Sequence, residues 1–346
     1  MDLTRIDKNM KLDTNLDLSD IVFVNIDDKP VEVLGVWRHE DIYVRVPPDV
    51  AKNTNPGVEQ LATNLAGGKV RFLTDSPYVA INYTFPAIDT HYHMTRVSES
   101  GMDMYADGVF CGVFAPQNDR DGHFEGITHF RGEKKLREII INLPPYNTIN
   151  NMYIGVSKDA ELKKAPAYDK RIVFYGSSIT QGACASRHGN SYTATVTRKL
   201  NWDCINLGFS GSGRGETIMA EYIASLKMDI FVLDYDHNAP TPEHLAKTHK
   251  PFFEVIRKAH PELPIIMIGK PDVRNDEHSM ERKQIIESTY NAAIAAGDKN
   301  VYYIDGFTLW GDVDYYNCTV DGCHPTDLGM YRMAQKVLNV INKIID

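Results

Sequence analysis

Arg171-Ile172-Val173-Phe174-Tyr175-Gly176-Ser177-Ser178-Ile179-Thr180 runs from an unbroken apolar stretch directly into a turn of small and hydroxyl residues. A strand buried on both faces reads this way, without polar alternation. The same grammar recurs downstream. Apolar runs at Cys204–Leu207, Ile230–Leu233, Ile265–Ile268 and Val301–Ile304 alternate with amphipathic stretches expected as helices, at Tyr192 to Leu200, Glu216 to Leu226, His249 to Ala259, Arg282 to Ala296 and Leu328 to Ile345. Alternation of this kind predicts an α/β domain over residues 166–346, a parallel sheet with helices on both faces.

Upstream the pattern differs. Val70-Arg71-Phe72-Leu73, Tyr78-Val79-Ala80-Ile81-Asn82-Tyr83, Val109 to Phe114 and Leu136 to Leu143 are short strands punctuated by Pro, Gly and Asp. Period-two alternation predicts an antiparallel β-sandwich over residues 1–165, with one short helix near Val58 to Ala62. The change of grammar falls at Lys163-Lys164-Ala165-Pro166-Ala167, and 346 residues suffice for two cores.

The bulk properties exclude several classes. A net charge of −9 with no long basic block argues against nucleic acid. No apolar stretch reaches the length of a membrane span. The first residues, Met1 to Asp7, contain no apolar signal core, so a cytoplasmic location is expected for this chain, and a periplasmic or secreted one if it is a trimmed form. Oligomeric state is not written in the chain. The five cysteines (Cys111, Cys184, Cys204, Cys318, Cys323) are scattered and odd in number, which reads as free thiols and not as a disulfide frame or zinc motif.

Four polar motifs stand at expected strand ends, where doubly wound sheets place their chemistry. Ser178 follows the first strand, Gly208-Phe209-Ser210-Gly211-Ser212-Gly213 the second, and Asp234-Tyr235-Asp236-His237-Asn238 the third. Asp321-Gly322-Cys323-His324-Pro325 precedes the last helix. A lone serine at a strand end is more often a helix cap. With an Asp and a His on one later loop it becomes a candidate nucleophile. Its hydroxyl is weak until an imidazole takes the proton and a carboxylate holds that imidazole. The order Ser…Asp…His is that of α/β-hydrolases, but the Gly-x-Ser-x-Gly elbow is missing.

These blocks resemble those of the SGNH (GDSL-like) hydrolase superfamily over roughly residues 170 to 346. The resemblance implies a three-layer α/β/α fold, with Ser178 as nucleophile, His324 as base and Asp321 as its orienting carboxylate. It implies an oxyanion hole from the Ser178 and Gly211 N–H groups and the Asn238 amide. Two departures stand out: Ser177 occupies the place of the usual Asp before the nucleophile, and Asp236 that of the Gly two residues before Asn238. In the N-terminal half, Gly101-Met102-Asp103-Met104-Tyr105 resembles the Gly-x-Asp-Leu-Tyr signature of a β-domain preceding some bacterial SGNH esterases. Carbohydrate esterase family 2 has a similar order, a jelly-roll-like domain and then an SGNH domain. The implied function is a serine esterase acting on short acyl esters, acetyl on carbohydrate foremost, with no metal or organic cofactor and a small-molecule or glycan ester as its partner.

Alternatives remain at this level. An acyltransferase or a lipid-like ester hydrolase would use the same three residues, and a non-catalytic carbohydrate-binding protein would use the β-domain. Gly211-Ser212-Gly213-Arg214-Gly215 before a helix suggests a dinucleotide site, although its third glycine is one residue early. His91 and His93 are expected on one face of a strand, a surface pair more than a metal site. Cys323 beside His324 is a weaker nucleophile candidate. Trp37, Tyr78, Tyr83, Tyr92 and Tyr105 are expected mainly in the core, with one or two available to stack on a sugar. Trp310 is expected to border the substrate pocket.

Overall fold

Strand β1 (Arg171–Gly176) is the second strand of a five-stranded parallel sheet in a computed structural model that describes residue 12 and residues 14–86, 90–116, 122–271 and 277–345. The segment Met1 to Asp7 lies outside the described residues. The other strands are β2 (Asp203–Gly208), β3 (Ile230–Asp234), β4 (Ile265–Ile268) and β5 (Val301–Ile304), in the spatial order β2-β1-β3-β4-β5. The chain order reverses between β1 and β3, which opens a crevice at the C-terminal strand ends.

The apolar run of β1 explains the layers. Ile172 and Phe174 point into one core with Tyr192, Val196, Met330, Met333 and Val337. Val173 and Tyr175 point into the other with Met219, Ile223, Phe252 and Ile256. All four β1 side chains are fully buried, so neither face tolerates a polar residue. The helices supplying these faces are α1 (Ser178–Gln181), α2 (Tyr192–Leu200), α3 (Thr217–Ala224), α4 (Pro242–Ala259), α5 (Glu277–Ala295) and α6 (Asp327–Ile345). Helix α4 begins seven residues before the expected His249. Thr241 caps it by accepting the His244 N–H at 3.2 Å, and Pro242 fits its first turn. No helix among the described residues is long and apolar enough to cross a membrane.

The N-terminal half forms two antiparallel sheets. One orders Ile21–Asn25, Asn151–Ser157, Tyr78–Thr84 and His123–His129. The other is built on Lys69–Thr74, Arg137–Asn142, Met102–Ala106 and Val109–Phe114. Alternate residues from both, such as Val70, Phe72, Ile139 and Met104 against Ile81, Tyr83, Met152 and Ile154, share one core between them. Two short helices, Pro48–Thr54 and Pro56–Leu61, leave this sandwich, and Val46, Ala51 and Val58 join the core of the α/β layer. Only the second was expected.

The Gly101–Tyr105 motif docks the two halves. Asp103 is fully buried; its Oδ1 accepts from Asn142 at 2.8 Å and its Oδ2 from the Gly189 N–H at 2.9 Å. An added Cβ at Gly189 would meet the Tyr105 hydroxyl at 2.4 Å, so that contact needs glycine. Burial pulls the neighbouring His188 down to about 4, and the neutral ring accepts from Gly67 N–H at 3.0 Å while bonding the Leu143 carbonyl.

Candidate active site

The end of β1 sets the position of Ser178. A Cβ at Gly176 would lie 2.1 Å from Thr180 Oγ1 and 2.5 Å from the Asp234 carbonyl, so glycine lets the strand turn tightly. Ser177 caps the single-turn α1, its hydroxyl accepting the Ile179 N–H at 3.2 Å. That is the task of the serine that replaces the family's usual Asp. Beneath α1, Asp234 accepts from Thr180 Oγ1 and from the Tyr192 hydroxyl, each at 2.9 Å. Burial raises the Asp234 carboxyl to about 7, against the pull of those two bonds.

The second loop brings the base. Ser178 Oγ lies 3.0 Å from His324 Nε2, and His324 Nδ1 lies 2.8 Å from Asp321 Oδ2. Asp321 Oδ1 accepts the backbone N–H groups of Cys323 and His324 at 2.9 and 2.8 Å. Burial works to raise the Asp321 carboxyl, and the bonds from the His324 ring and the two N–H groups outweigh it, holding it near 2. Its carboxylate therefore contributes stability above the ordinary value of 3.8, lost only as pH falls through about 2. Activity lost between about pH 5 and 3 is then not due to Asp321. Asp321→Asn is expected to lower kcat by about 10²- to 10⁴-fold, less than loss of Ser178 or His324, because an amide favours the wrong imidazole tautomer. Steady-state kinetics with an activated acetate ester measure it.

The loop is closed by an antiparallel bridge between Thr319 and Pro325, with Val320 N–H on the His324 carbonyl at 2.9 Å. Trp310 supports it from below. The indole is 2% exposed and packs among Cys318, Met330 and Met333, so the expectation that it borders the substrate is corrected. Its place directly after the buried Leu309, in the same cluster, makes it core.

Gly211 and Asn238 converge on the same crevice. Gly211 takes a left-handed backbone (φ 64°), and its N–H has no acceptor among the described residues. The Asn238 side-chain amide donates to the Phe209 carbonyl at 2.8 Å, which ties it to the Gly211 turn. Asp236, where the family pattern has glycine, is the anchor of this turn. It is 2% exposed, pairs with Arg282 Nη1 at 3.0 Å and accepts the Lys270 N–H at 2.9 Å. The guanidinium also donates to the Asp236 and Ala239 carbonyls, at 2.9 and 2.8 Å.

Residues of the β-domain reach the site, which sequence spacing did not reveal. The Tyr146 hydroxyl donates to the Ser178 carbonyl at 3.2 Å. Gln181 bridges the halves, donating to the Pro145 carbonyl and accepting the Ser210 N–H, both at 2.9 Å. The expected strand at His91–His93 is a turn before the short helix Arg96–Ser100. The two rings separate in role: His91 Nδ1 bonds Glu99 at 2.8 Å, while His93 packs on His324 with ring centroids 4.8 Å apart. Of the sugar-stacking candidates, Tyr78, Tyr83 and Tyr105 are buried, Trp37 is half-buried and Tyr92 is 94% exposed beside His93. None of the five cysteines is in a disulfide, and Cys323 Sγ lies 3.8 Å from His237 Nδ1.

The dinucleotide reading is not supported by the loop it rests on. Glu216 precedes α3, and its carboxylate accepts the Arg214 N–H at 3.0 Å and the Tyr175 hydroxyl at 3.1 Å. A phosphate would need those donors. A groove of about 670 Å³ between α4 and α5, lined by Lys250, Phe253, Arg257 and Asp298, includes none of the strand-end residues.

A serine hydroxyl, an imidazole and a carboxylate in hydrogen-bonded series, beside two N–H donors at a strand-end crevice, define the acyl-transfer class of site. The chain belongs to the GDSL-like lipase/acylhydrolase family, whose model matches residues 169–342, and it is a carboxylic ester hydrolase of the SGNH type. A second family model, the N-terminus of SGNH-hydrolase-type esterases that takes its name from the GxDLY motif, matches residues 21–162. A solved protein described as a GDSL-like lipase from Bacteroides ovatus ATCC 8483 is 32% identical, with 94% of this chain and 98% of that one covered and a TM-score of 0.84. The salicylyl-acyltransferase SsfX3 from a tetracycline biosynthetic pathway is similar at 18% identity, 94% and 98% coverage and a TM-score of 0.78. The acetyl xylan esterase Est2A from the rumen bacterium Butyrivibrio proteoclasticus follows the same fold at 14% identity, 94% and 99% coverage and a TM-score of 0.66. No curated protein matches the sequence.

Proposed function

We propose that this protein is a serine esterase that releases short acyl groups, acetyl foremost, from carbohydrates. The observation carrying the proposal is the continuous series Ser178 Oγ–His324–Asp321, with links of 3.0 and 2.8 Å. His324 Nε2 takes the Ser178 proton as Oγ attacks the ester carbonyl. The tetrahedral oxyanion is met by the Ser178 and Gly211 N–H groups and the free N–H of the Asn238 amide. The imidazolium, held by Asp321, gives the proton to the departing sugar oxygen as its bond to the acyl carbon breaks, releasing the alcohol. Water then repeats the sequence on the acyl-enzyme and releases the acid.

Two features favour a sugar as the alcohol half. The acetyl xylan esterase shares this two-domain fold. Tyr92 presents a flat, 94% exposed ring at the rim, two packed rings from the base through His93. The test is hydrolysis of p-nitrophenyl acetate, butyrate and octanoate, with an acetylated xylan in parallel. Activity confined to acetate supports the proposal, and activity rising with chain length moves it to lipid-like esters. Tyr92→Ala is expected to raise KM for the glycan by about 5- to 50-fold, from loss of one stacking contact, and to leave p-nitrophenyl acetate unchanged.

A second reading is favoured by the similarity to the salicylyl-acyltransferase. The same acyl-enzyme would pass its acyl group to an alcohol or amine. Accumulation of acylated acceptor in place of free acid, at equal acceptor and ester turnover, distinguishes it.

A further inference from the structure

Two side chains beside the base take no part in the proposed chemistry. Cys184 follows α1 on a left-handed backbone (φ 67°), 9% exposed, with its Sγ 3.5 Å from the His93 carbonyl. His93 comes from the β-domain, its ring tilted 42° against that of His324. Its Nδ1 is buried and has no hydrogen-bond partner among the described residues. One ligand atom from each of His93, Cys184 and His324 lies within 4.8 Å of the others.

Two imidazoles and a thiol are the ligand types that zinc selects over magnesium or calcium. At zinc bond lengths, tetrahedral neighbours stand about 3.3 to 3.6 Å apart, so the triangle needs to contract by roughly 1 Å. His93 sits on a turn and Cys184 on a loop, where side-chain torsions supply a movement of that size. The three ligands leave a fourth position for water, the arrangement of an open zinc site.

We propose that His93, Cys184 and His324 bind a thiophilic divalent cation, Zn²⁺ being the prototype, and that the bound ion switches the esterase off by occupying its base. The switch, though not the binding, rests on His324 being that base. Both ring nitrogens of His324 are engaged, Nε2 by Ser178 at 3.0 Å and Nδ1 by Asp321 at 2.8 Å. A lone pair given to the metal through either nitrogen breaks one of these two links. The step is coordination only: the imidazoles donate lone pairs, the thiol releases its proton to solvent, and nothing is oxidised. The β-domain thereby contributes a ligand that the hydrolase domain lacks.

Two readouts test it. Co²⁺ is titrated into the Ser178→Ala protein, which needs no activity, and the thiolate-to-cobalt absorption is followed. Zn²⁺ inhibition of p-nitrophenyl acetate hydrolysis is measured in wild type, Cys184→Ser and His93→Gln, with reversal by chelator. A cobalt–thiolate band lost in Cys184→Ser is expected. So is Zn²⁺ inhibition weakened by at least about tenfold in both variants, each measured against its own metal-free rate. His93→Gln keeps the test valid if Cys184→Ser folds poorly. Absence of the band together with unaltered hydrolysis in Zn²⁺ overturns the site and leaves the esterase reading intact. A band with hydrolysis undiminished overturns the switch and counts against His324 as base. Equal inhibition of all three proteins overturns the ligand assignment.

Discussion

Ser178→Ala is expected to lower kcat for p-nitrophenyl acetate by about 10⁴- to 10⁶-fold while leaving the fold in place. The hydroxyl is aligned with an imidazole, at 3.0 Å from His324 Nε2. Alanine at the first position of α1 keeps the helix and the Ser177 cap, so stability should change by less than about 1 kcal/mol. His324→Ala should be as damaging. The double variant should be little worse than either single one, because the residues act as a unit. A rate within about tenfold of wild type in either single variant would contradict the assignment of roles.

The largest stability effect is expected at Arg45. This guanidinium is completely buried and has no carboxylate partner among the described residues: it donates to the carbonyls of Asn206, Gly208 and Leu61 at 3.1, 2.6 and 2.7 Å. It also lies 4.5 Å over the Phe209 ring. Burial lowers its pKa to about 9, so it remains charged at neutral pH. Two effects oppose one another. Arg45→Met removes the cost of burying a cation, but it strands three carbonyls at roughly 1 to 3 kcal/mol each. The carbonyls outnumber the single charge, and a net loss of about 2 to 4 kcal/mol is expected, read as a fall in Tm of about 3 to 5 °C. The damage should also reach catalysis. Phe209 carries the carbonyl that orients Asn238 and leads to Gly211, so kcat should fall by about tenfold, short of the loss of a whole oxyanion donor. An unchanged Tm would show that Arg45 does not pin the N-terminal segment to β2.

The parts of this structure legible in the sequence are those set by local pattern. The apolar runs of β1 to β4 are buried on both faces and have no polar alternation to mislead. Helix α2 spans the expected residues, with Ser191 capping its start and the left-handed Asn201 ending it. The serine, histidine and aspartate sit at strand or loop ends where their spacing is informative. What was not legible depends on contacts between distant residues. Nothing in His91–His93 announces that a turn from the β-domain will lay one ring on His324, 231 positions later. Asp236 looked like a defect in a motif, and only Arg282 from α5 explains it. Trp310 was placed at the pocket on proximity in sequence, whereas the Thr319–Pro325 bridge lifts the loop tip away and leaves the indole beneath. The helices at residues 48–61 read weakly because their apolar positions serve the core of the other half.

The most direct test of the central claim is covalent labelling with a small alkyl fluorophosphonate, read by intact mass and peptide mapping. Such reagents phosphonylate a serine only where a neighbouring base activates it and an oxyanion hole receives the developing charge. One adduct per chain on Ser178, with parallel loss of hydrolysis and no adduct in Ser178→Ala or His324→Ala, is the predicted result. An adduct on another residue, or full hydrolysis after Ser178 is labelled, would contradict it.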